Sequence, residues 1–157
     1  MTKEIILTRG DVALVDDEDY EYLSQWNWTS NISRSKRYAR RHLGNRKYVS
    51  MHKVLINSGV NIEVDHIDGD GLNNQKLNLR VCTHIQNMQN GIIKVNNKSG
   101  YKGVSWYKNY GKWLSRIVVN KKKVFLGYFE FEDVIDAALA YDTAARKYFG
   151  EFARTNF

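Results

Sequence analysis

Residues 64–90 read VDHIDGDGLNNQKLNLRVCTHIQNMQN, and this stretch decides how the chain folds. Val64–Asp68 has the residue pattern of a strand, and the apolar Leu79–Cys82 predicts a second strand. The residues between them, Gly69–Asn78, are rich in Gly and Asn, which favour a loop. Thr83-x-x-Gln86 is a capping box and predicts that a helix begins there. The order strand, loop, strand, helix therefore occupies one short stretch.

The same stretch carries polar side chains that suit phosphodiester hydrolysis, which needs a proton acceptor and a cation for the developing charge. His66 is the candidate general base, because imidazole titrates near neutral pH. Asp65 precedes it, and in a strand the two side chains point to opposite faces unless a bulge re-aims one. Asn78 ends the loop, and Asn87 lies one turn into the helix. A carboxylate, an amide oxygen and water suit a hard divalent ion such as Mg²⁺.

These residues resemble the HNH endonuclease motif of phage and intron homing enzymes. The matching segments are Val64-Asp65-His66-Ile67-Asp68-Gly69, Asn73-Asn74, Asn78-Leu79-Arg80 and Thr83-x-x-Gln86-Asn87. The resemblance implies a ββα-metal motif over about residues 62–91 and a metal-dependent, site-specific DNA endonuclease that nicks strands. It implies that His66 is the general base and that Asn78 orients its ring. It also implies that Asp65 and Asn87 hold one Mg²⁺ or Mn²⁺, with no small-molecule cofactor.

Two further histidines are close to this motif in sequence. His84 is three residues before Asn87, on what we expect to be another face of the helix, so it is the weaker ligand candidate. His52 belongs to Val49-Ser50-Met51-His52, which also resembles the homing branch. The sequence leaves open whether His52 packs in the core or approaches the site.

Strands and short helices are predicted upstream of this motif. Ile5–Leu7 and Val12–Val15 flank Arg9-Gly10 and predict a hairpin. Asp16–Trp26 has apolar residues at helical spacing. The remaining predicted elements are strands at Tyr38–Arg41 and Lys47–Val49 and a short helix at Met51–Ile56.

Positive charge is concentrated in two stretches, within a formal net charge of +7. Residues 33–47 and 98–123 contain many lysines and arginines and no acid. Two acid-free basic stretches indicate two contacts with a polyanion, and we expect double-stranded DNA. The first stretch is expected to contact phosphates through Arg34, Arg37, Arg40 and Arg41.

The C-terminal third predicts a separate module at 99–157, joined to a domain at 1–92 by a polar linker at 93–98. Its predicted strands are Gly103–Tyr107, Lys112–Val119 and Lys123–Phe129, followed by a helix at Asp133–Phe149. In the second strand, Lys112, Leu114, Arg116 and Val118 share the face that we expect to be exposed. Three strands and one helix bury one face of the sheet and leave the other open.

This module resembles the plant-type Apetala/ethylene-response-factor DNA-binding domain. The matching segments are Tyr101-Lys102-Gly103-Val104, Gly111-Lys112-Trp113, Phe125-Leu126-Gly127-x-Phe129, Ala137-Ala138-x-Ala140-Tyr141-Asp142-x-Ala144-Ala145 and Asn156-Phe157. The resemblance implies that the residues facing DNA are Lys102, Lys108, Tyr110, Arg116, Lys123 and Phe125. The chain has Ser105, Val118 and Phe125 where the family often has Arg, Arg and Trp, so the plant target sequence is not expected to transfer.

The whole chain is therefore predicted to be an α+β protein with a ββα-metal motif, then a three-stranded antiparallel sheet on one α-helix. Its single cysteine, Cys82, excludes an internal disulfide and a Cys-x-x-Cys zinc site. No apolar run is long enough to span a bilayer, and no secretory signal is evident. We expect a monomer without membrane contact in the cytoplasm of a bacterial host cell.

Two functions remain open on these grounds. The first is a homing-type DNA endonuclease with a tethered major-groove DNA-binding module. The alternative is a non-catalytic DNA-binding transcriptional regulator on a decayed HNH scaffold. A regulator would not need Asp65, His66, Asn78 and Asn87 together, which favours the endonuclease. An RNA-binding protein fits the charge but not a sheet of the major-groove type.

Overall fold

The computed structural model describes residues 1–33, 36–57, 62–93 and 96–157. The chain divides into two compact units, which we call unit 1 (Met1–Asn87) and unit 2 (Met88–Phe157). Both units combine small antiparallel sheets with helices, so the predicted α+β class is confirmed. Within the described ranges, no helix is both long and apolar enough to cross a membrane.

The described residues of unit 1 form three small antiparallel sheets. Its elements are β1 (Thr2–Ile6), β2 (Val12–Asp16), α1 (Asp17–Leu23), β3 (Thr29–Ser33), β4 (Lys36–Gly44), β5 (Lys47–Ser50), α2 (Met51–Ile56), β6 (Glu63–His66) and β7 (Leu79–Cys82). Helix α3 (His84–Gln89) begins in unit 1, and its last two residues belong to unit 2. The sheets are the hairpin β1–β2, the three strands β3–β4–β5 and the hairpin β6–β7. The order of β6, loop, β7 and α3 is the one that residues 64–90 predict.

The core of unit 1 lies between the β1–β2 hairpin, β4 and the first two helices. It includes Leu7, Val15, Leu23, Trp28 and Met51, all of which are fully buried. The indole Nε1 of Trp28 donates to the carbonyl of Leu23 at 2.8 Å, so the polar edge of this ring is satisfied inside the core. These contacts hold β4 and α2 in the positions from which they approach β6.

From residue 96 onward, unit 2 is built around three strands and one long helix. Its elements are β8 (Val104–Tyr107), β9 (Lys112–Val119), β10 (Lys122–Phe129) and α4 (Val134–Phe149), and β9 is the central strand. Helix α4 packs through buried residues that lie three and four positions from Tyr141, namely Ala137, Ala138, Ala144 and Ala145. Alanine lets the helix axis approach the sheet closely, and Ser115 Oγ donates to the carbonyl of Ala137 at 2.8 Å.

The end of the chain is tied to α4 by a buried carboxylate. Asp142 accepts hydrogen bonds from the backbone amides of Asn156 at 2.8 Å and Phe157 at 2.9 Å. The side chain of Asn156 in turn accepts from the amide of Lys102 at 2.7 Å. These contacts hold the start of the sheet and the C-terminal residues together on one side of the helix.

Candidate functional site

The β6–β7 hairpin places Asp65 and His66 in different surroundings. The strands pair from Glu63 with Cys82 to His66 with Leu79. Because side chains alternate along a strand, Asp65 shares its face with Glu63 rather than with His66. The contacts agree with this alternation, since Asp65 meets Arg80 and His66 meets rings from β4 and α2.

His66 is buried among aromatic side chains. Its Nε2 lies 3.4 Å from Asn74 Oδ1, its ring centroid lies 4.9 Å from that of His52, and the Tyr38 ring is 5.8 Å away. Burial lowers the pKa of His66, and the Asn74 bond and the charges of Asp68 and Asp65 oppose this shift only in part. The ring is therefore neutral at neutral pH and has the form that accepts a proton.

His52 is placed against His66, which decides a question that the sequence left open. The two rings meet edge to face at 86°, and His52 is 7% exposed. Within the described chain, its Nδ1 is buried without a hydrogen-bond partner. Burial, and next the charge that His66 would carry, lower the pKa of His52 to about 3. Two neutral imidazoles therefore share this pocket.

Asn78 holds the loop between the two strands. Its Nδ2 donates to Asp68 Oδ1 at 2.9 Å and to the carbonyl of Asn73 at 2.8 Å, and its Oδ1 accepts from the amide of Asp68 at 3.0 Å. The amide beside the His66 ring belongs instead to Asn74, which is fully buried. Sequence reasoning included Asn74 in the Asn73-Asn74 segment that resembles the HNH motif but gave it no role beyond a turn, and its position next to His66 depends on how the loop folds back.

The carboxylate of Asp65 forms a buried ion pair that the sequence analysis missed. Arg80 donates to Asp65 Oδ2 from Nη2 at 2.9 Å and from Nε at 3.1 Å. Asp65 and Arg80 are direct cross-strand partners, so the register of β6 and β7 creates this contact. A cation at Asp65 would share the carboxylate with this guanidinium.

Asn87 and His84 both reach one carboxylate, that of Glu63. Asn87 Nδ2 donates to Glu63 Oε2 at 2.8 Å, and His84 Nδ1 lies 2.8 Å from Glu63 Oε1. Our expectation that His84 lies on a different face from Asn87 is therefore wrong, because helical positions three apart are neighbours. The Asn87 bond is the main cause that lowers the pKa of Glu63; partial burial opposes it and His84 adds to it.

The candidate metal ligands, Asp65 and Asn87, suit a hard cation only if water molecules complete its coordination shell. Among the described residues, no group of three or more His, Cys, Asp or Glu side chains is placed to hold a metal. Asn87 uses its Nδ2 for Glu63, which leaves the amide oxygen as its ligating atom. One carboxylate from Asp65 and one amide oxygen from Asn87 match the chemistry of Mg²⁺, which keeps several waters when bound.

The predicted phosphate-binding arginines of β4 pack on aromatic rings and acids. The guanidinium of Arg40 lies 4.1 Å from the Tyr48 ring centroid, and that of Arg41 lies 4.2 Å from the Trp26 centroid. Arg37 is exposed and pairs with Asp11. The fourth predicted residue, Arg34, lies outside the described residues. Only part of the guanidinium groups of Arg37, Arg40 and Arg41 thus remains available to an anion.

The open face of unit 2 lies opposite α4 and carries exposed cations. Arg116 and Lys123 are exposed, and the predicted alternation along β9 is observed, with Ser115 and Ile117 buried. Lys112 pairs with Glu130 at the edge of this face. Lys102 precedes β8, and its ammonium donates to the carbonyl of Gln89 at 2.6 Å, so it is not part of the strand surface.

A group of aromatic rings accompanies these cations. Lys108 and Tyr110 are exposed in the turn between β8 and β9. The Tyr110 centroid lies 5.2 Å from Tyr107 and 5.0 Å from Tyr128, and Phe125 lies 5.0 Å from Tyr128. The residues predicted to face DNA included Tyr110 and Phe125 but not Tyr107 and Tyr128. Gly127 was the sequence signal for Tyr128, because a glycine inside a strand often marks a bulge, which changes the face of the residues that follow.

The fold defines a two-unit α+β protein whose second unit is a three-stranded sheet with one open face. Protein 3.8 of Escherichia phage T7 is 32% identical to the chain over 91 residues, which cover 58% of this chain and 73% of that protein. The chain therefore belongs to the same family as this phage protein, whose name states no activity.

Plant transcription factors are also similar to part of the chain. The AP2-like ethylene-responsive transcription factor PLT2 of Arabidopsis thaliana is 44% identical over 61 residues, which are 38% of this chain and 10% of that protein. The ethylene-responsive transcription factor ERF069 of the same plant is 32% identical over 101 residues, which are 61% of this chain and 60% of that protein. The chain thus spans less than two thirds of either. No family profile and no solved structure matches the chain.

Proposed function

We propose that this protein binds duplex DNA through the open face of the β8–β9–β10 sheet. The observation that carries the proposal is the exposure of Arg116 and Lys123 on the face that α4 leaves uncovered. A surface built from strands can enter the major groove, where base edges differ in their donors and acceptors. The plant relatives are named transcription factors, and the 61-residue match to PLT2 is close in length to the predicted module.

For the whole protein, the comparisons favour a DNA-binding regulator over a nuclease, because the informative names among the relatives are those of transcription factors. The name of the phage relative does not discriminate between the two. Binding is therefore the conclusion, and cleavage is a second candidate that rests on unit 1 alone.

The second candidate function is metal-dependent DNA cleavage in unit 1, of the homing-endonuclease type. It is favoured by one observation, a buried and neutral His66 whose Nε2 lies beside the Asn74 amide. In this proposal His66 accepts the proton of the attacking water, and Asn74 keeps the ring in place. Asn78 supports the site through Asp68, because it ties the loop together.

Asp65 and Asn87 would hold the cation in this second candidate. A bound Mg²⁺ or Mn²⁺ would neutralise charge on the phosphodiester. Arg80 holds the Asp65 carboxylate in a fixed orientation, and Glu63 does the same for the Asn87 amide. In this proposal the chain's own contribution would be a neutral base and two oxygen ligands, each held in place by a neighbouring side chain.

Two measurements on the full chain distinguish DNA binding from DNA cleavage. A mobility-shift assay with duplex DNA in EDTA measures binding alone, and incubation of supercoiled plasmid with Mg²⁺, Mn²⁺ or EDTA measures nicking. Binding with nicking that EDTA abolishes supports both proposals. Binding without nicking under any metal leaves the regulator, whereas absence of binding removes the DNA partner itself.

A further inference from the structure

The open face of unit 2 exposes apolar side chains beside its cations, although the opposite face of the sheet already packs on α4. Val118 is 53% exposed and Phe125 is 59% exposed. The register of β9 and β10 pairs Arg116 with Phe125 and Val118 with Lys123. Each exposed apolar residue is therefore a direct cross-strand neighbour of a cation.

A bulge in β10 extends this apolar surface. The register with β9 shifts between Phe125 and Gly127, and Gly127 has a φ of 149°. Beyond the shift, Tyr128 lies opposite Leu114 and joins Phe125 on the open face, while Phe129 packs into the core of unit 2. The extra residue thus changes which side chains face outward.

Charge and shape together limit what this face can contact. A contiguous group of exposed apolar side chains, such as Phe125, Tyr128 and Tyr110 here, indicates a surface for a partner. Arg116 and Lys123 require that partner to be anionic, and their apolar neighbours require it to present apolar groups between its charges. Duplex DNA meets both conditions, because its major groove lies between two phosphate chains and displays the C5-methyl group of each thymine.

We propose that Val118 and Phe125 determine specificity by contacting thymine methyl groups in the major groove, next to a guanine that Arg116 contacts. Arginine binds the O6 and N7 acceptors of guanine, and apolar side chains contact the thymine methyl. Because Arg116 and Phe125 are cross-strand neighbours, the guanine and a thymine are close together in the site. The proposal rests on the DNA binding proposed above and adds the bases that are recognised.

Single-stranded DNA fits this face less well. A stacking platform offers ring faces to bases. Here the rings cover one another, since Tyr110 meets Tyr107 and Tyr128 at 76° and 73°, and Phe125 meets Tyr128 at 58°. Such a group offers ring edges rather than free ring faces.

The test begins with selection of the best duplex by the full chain, in EDTA so that no cleavage intervenes. Each thymine of that duplex is then replaced by deoxyuridine, which removes only the methyl group, and the dissociation constant is measured. We expect one or two positions at which binding weakens roughly fourfold, the equivalent of one buried methyl group. Val118→Ala and Phe125→Ala should each abolish the effect at one position.

Ile135→Ala is the matched control, because Ile135 is 52% exposed on α4 and lies away from the open face. It should retain the full response to deoxyuridine, and circular dichroism should show that all three variants remain folded. Tight duplex binding without any response to deoxyuridine would overturn the thymine proposal while leaving DNA binding intact. Stronger binding to single strands would also overturn it, and absence of duplex binding would remove both proposals.

Discussion

At the scale of single residues, the pocket around His66 depends on burial. His66 and His52 have lowered pKa values mainly because both rings are buried, where a charged imidazolium is poorly solvated. The side chain of Asn74 is itself fully buried, and its Oδ1 is a hydrogen-bonding partner for the His66 ring inside this pocket. Neutral imidazole is the form that a general base needs, so the packing of unit 1 and the proposed chemistry require the same protonation state.

His66→Ala is expected to reduce nicking by about 10²–10⁴-fold, because the variant lacks the proton acceptor. Binding to duplex DNA in EDTA should stay within about twofold, since the buried His66 ring belongs neither to the open face of unit 2 nor to the arginine surface of β4. His84→Ala is the matched control: its ring contacts Glu63 and is largely exposed, so nicking should fall much less. Plasmid nicking under Mn²⁺ measures both, and a larger loss for the His84 variant would reassign the base.

The pH dependence of stability follows from His52. Its pKa is about 3 in the folded chain and near its usual 6.5 when unfolded, so between these values the unfolded chain binds the additional proton. The stabilising contribution of neutral His52 is therefore complete above pH 6.5 and decreases as the pH falls toward 3. The slope from this group is at most about 1.4 kcal/mol per pH unit.

Urea unfolding between pH 4.5 and 6.5 tests this expectation. His52→Leu fills the pocket with a side chain that does not titrate, so it should flatten the dependence of the unfolding free energy on pH. His42→Leu serves as the control, since His42 is exposed on β4 and should leave the slope as it is. An unchanged slope in the His52 variant would show that this ring is not kept neutral by the fold.

At the scale of elements, close approach of the backbone to α4 sets the position of β8. Gly103 precedes this strand with a φ of 81°, and a Cβ there would overlap the ring of Tyr141. Gly100 has a similar φ of 76°, but no atom lies within 4 Å of where its Cβ would be. Comparing an alanine substitution at Gly100 with one at Gly103 therefore separates the cost of backbone strain from the cost of steric overlap.

Gly100→Ala should cost about 1–2 kcal/mol of unfolding free energy, from the left-handed backbone alone. Gly103→Ala should cost roughly 1–3 kcal/mol more, because the added methyl group must displace the buried Tyr141 ring or the strand. Denaturant unfolding of the full chain, followed by circular dichroism, measures both variants. Equal losses would mean that α4 adjusts to the methyl group without strain.

At the scale of the whole molecule, two basic regions have different expected roles. Arg116 lies on the open face of unit 2 among exposed apolar residues, where base edges are accessible to it in the proposed complex. Arg37 lies on β4 of unit 1, is exposed and pairs with Asp11. Phosphate contacts position a protein on DNA, whereas base contacts specify the sequence.

Arg116→Ala should reduce discrimination between the selected duplex and a scrambled one, by about 1–3 kcal/mol if a guanine contact is lost. Arg37→Ala should weaken both duplexes alike and lower the slope of log affinity against log salt by about one. Titrations at several salt concentrations in EDTA measure both quantities. Unchanged discrimination in the Arg116 variant would place sequence recognition outside this face.

Local sequence was sufficient for many elements. α2 at Met51–Ile56, β7 at Leu79–Cys82 and β9 at Lys112–Val119 have the predicted bounds, because each has a clear apolar pattern or turn residues on its flanks. β3 at Thr29–Ser33 was not predicted, since its residues are mostly polar and its one large apolar side chain, Ile32, is exposed. Its strand conformation comes from pairing with β4, which is a non-local interaction.

Sequence alone determined the α+β class, the order of β6, loop, β7 and α3, and the chemical types at the candidate site, because each follows from residue identity and short-range periodicity. Only the tertiary structure decided that Asn74 rather than Asn78 lies beside the His66 Nε2, and that His52 shares its pocket. Likewise, the bulge at Gly127 rather than simple alternation turns Tyr128 outward. These positions depend on how a loop folds back and where a strand register shifts, and both are fixed by contacts between residues far apart in the chain.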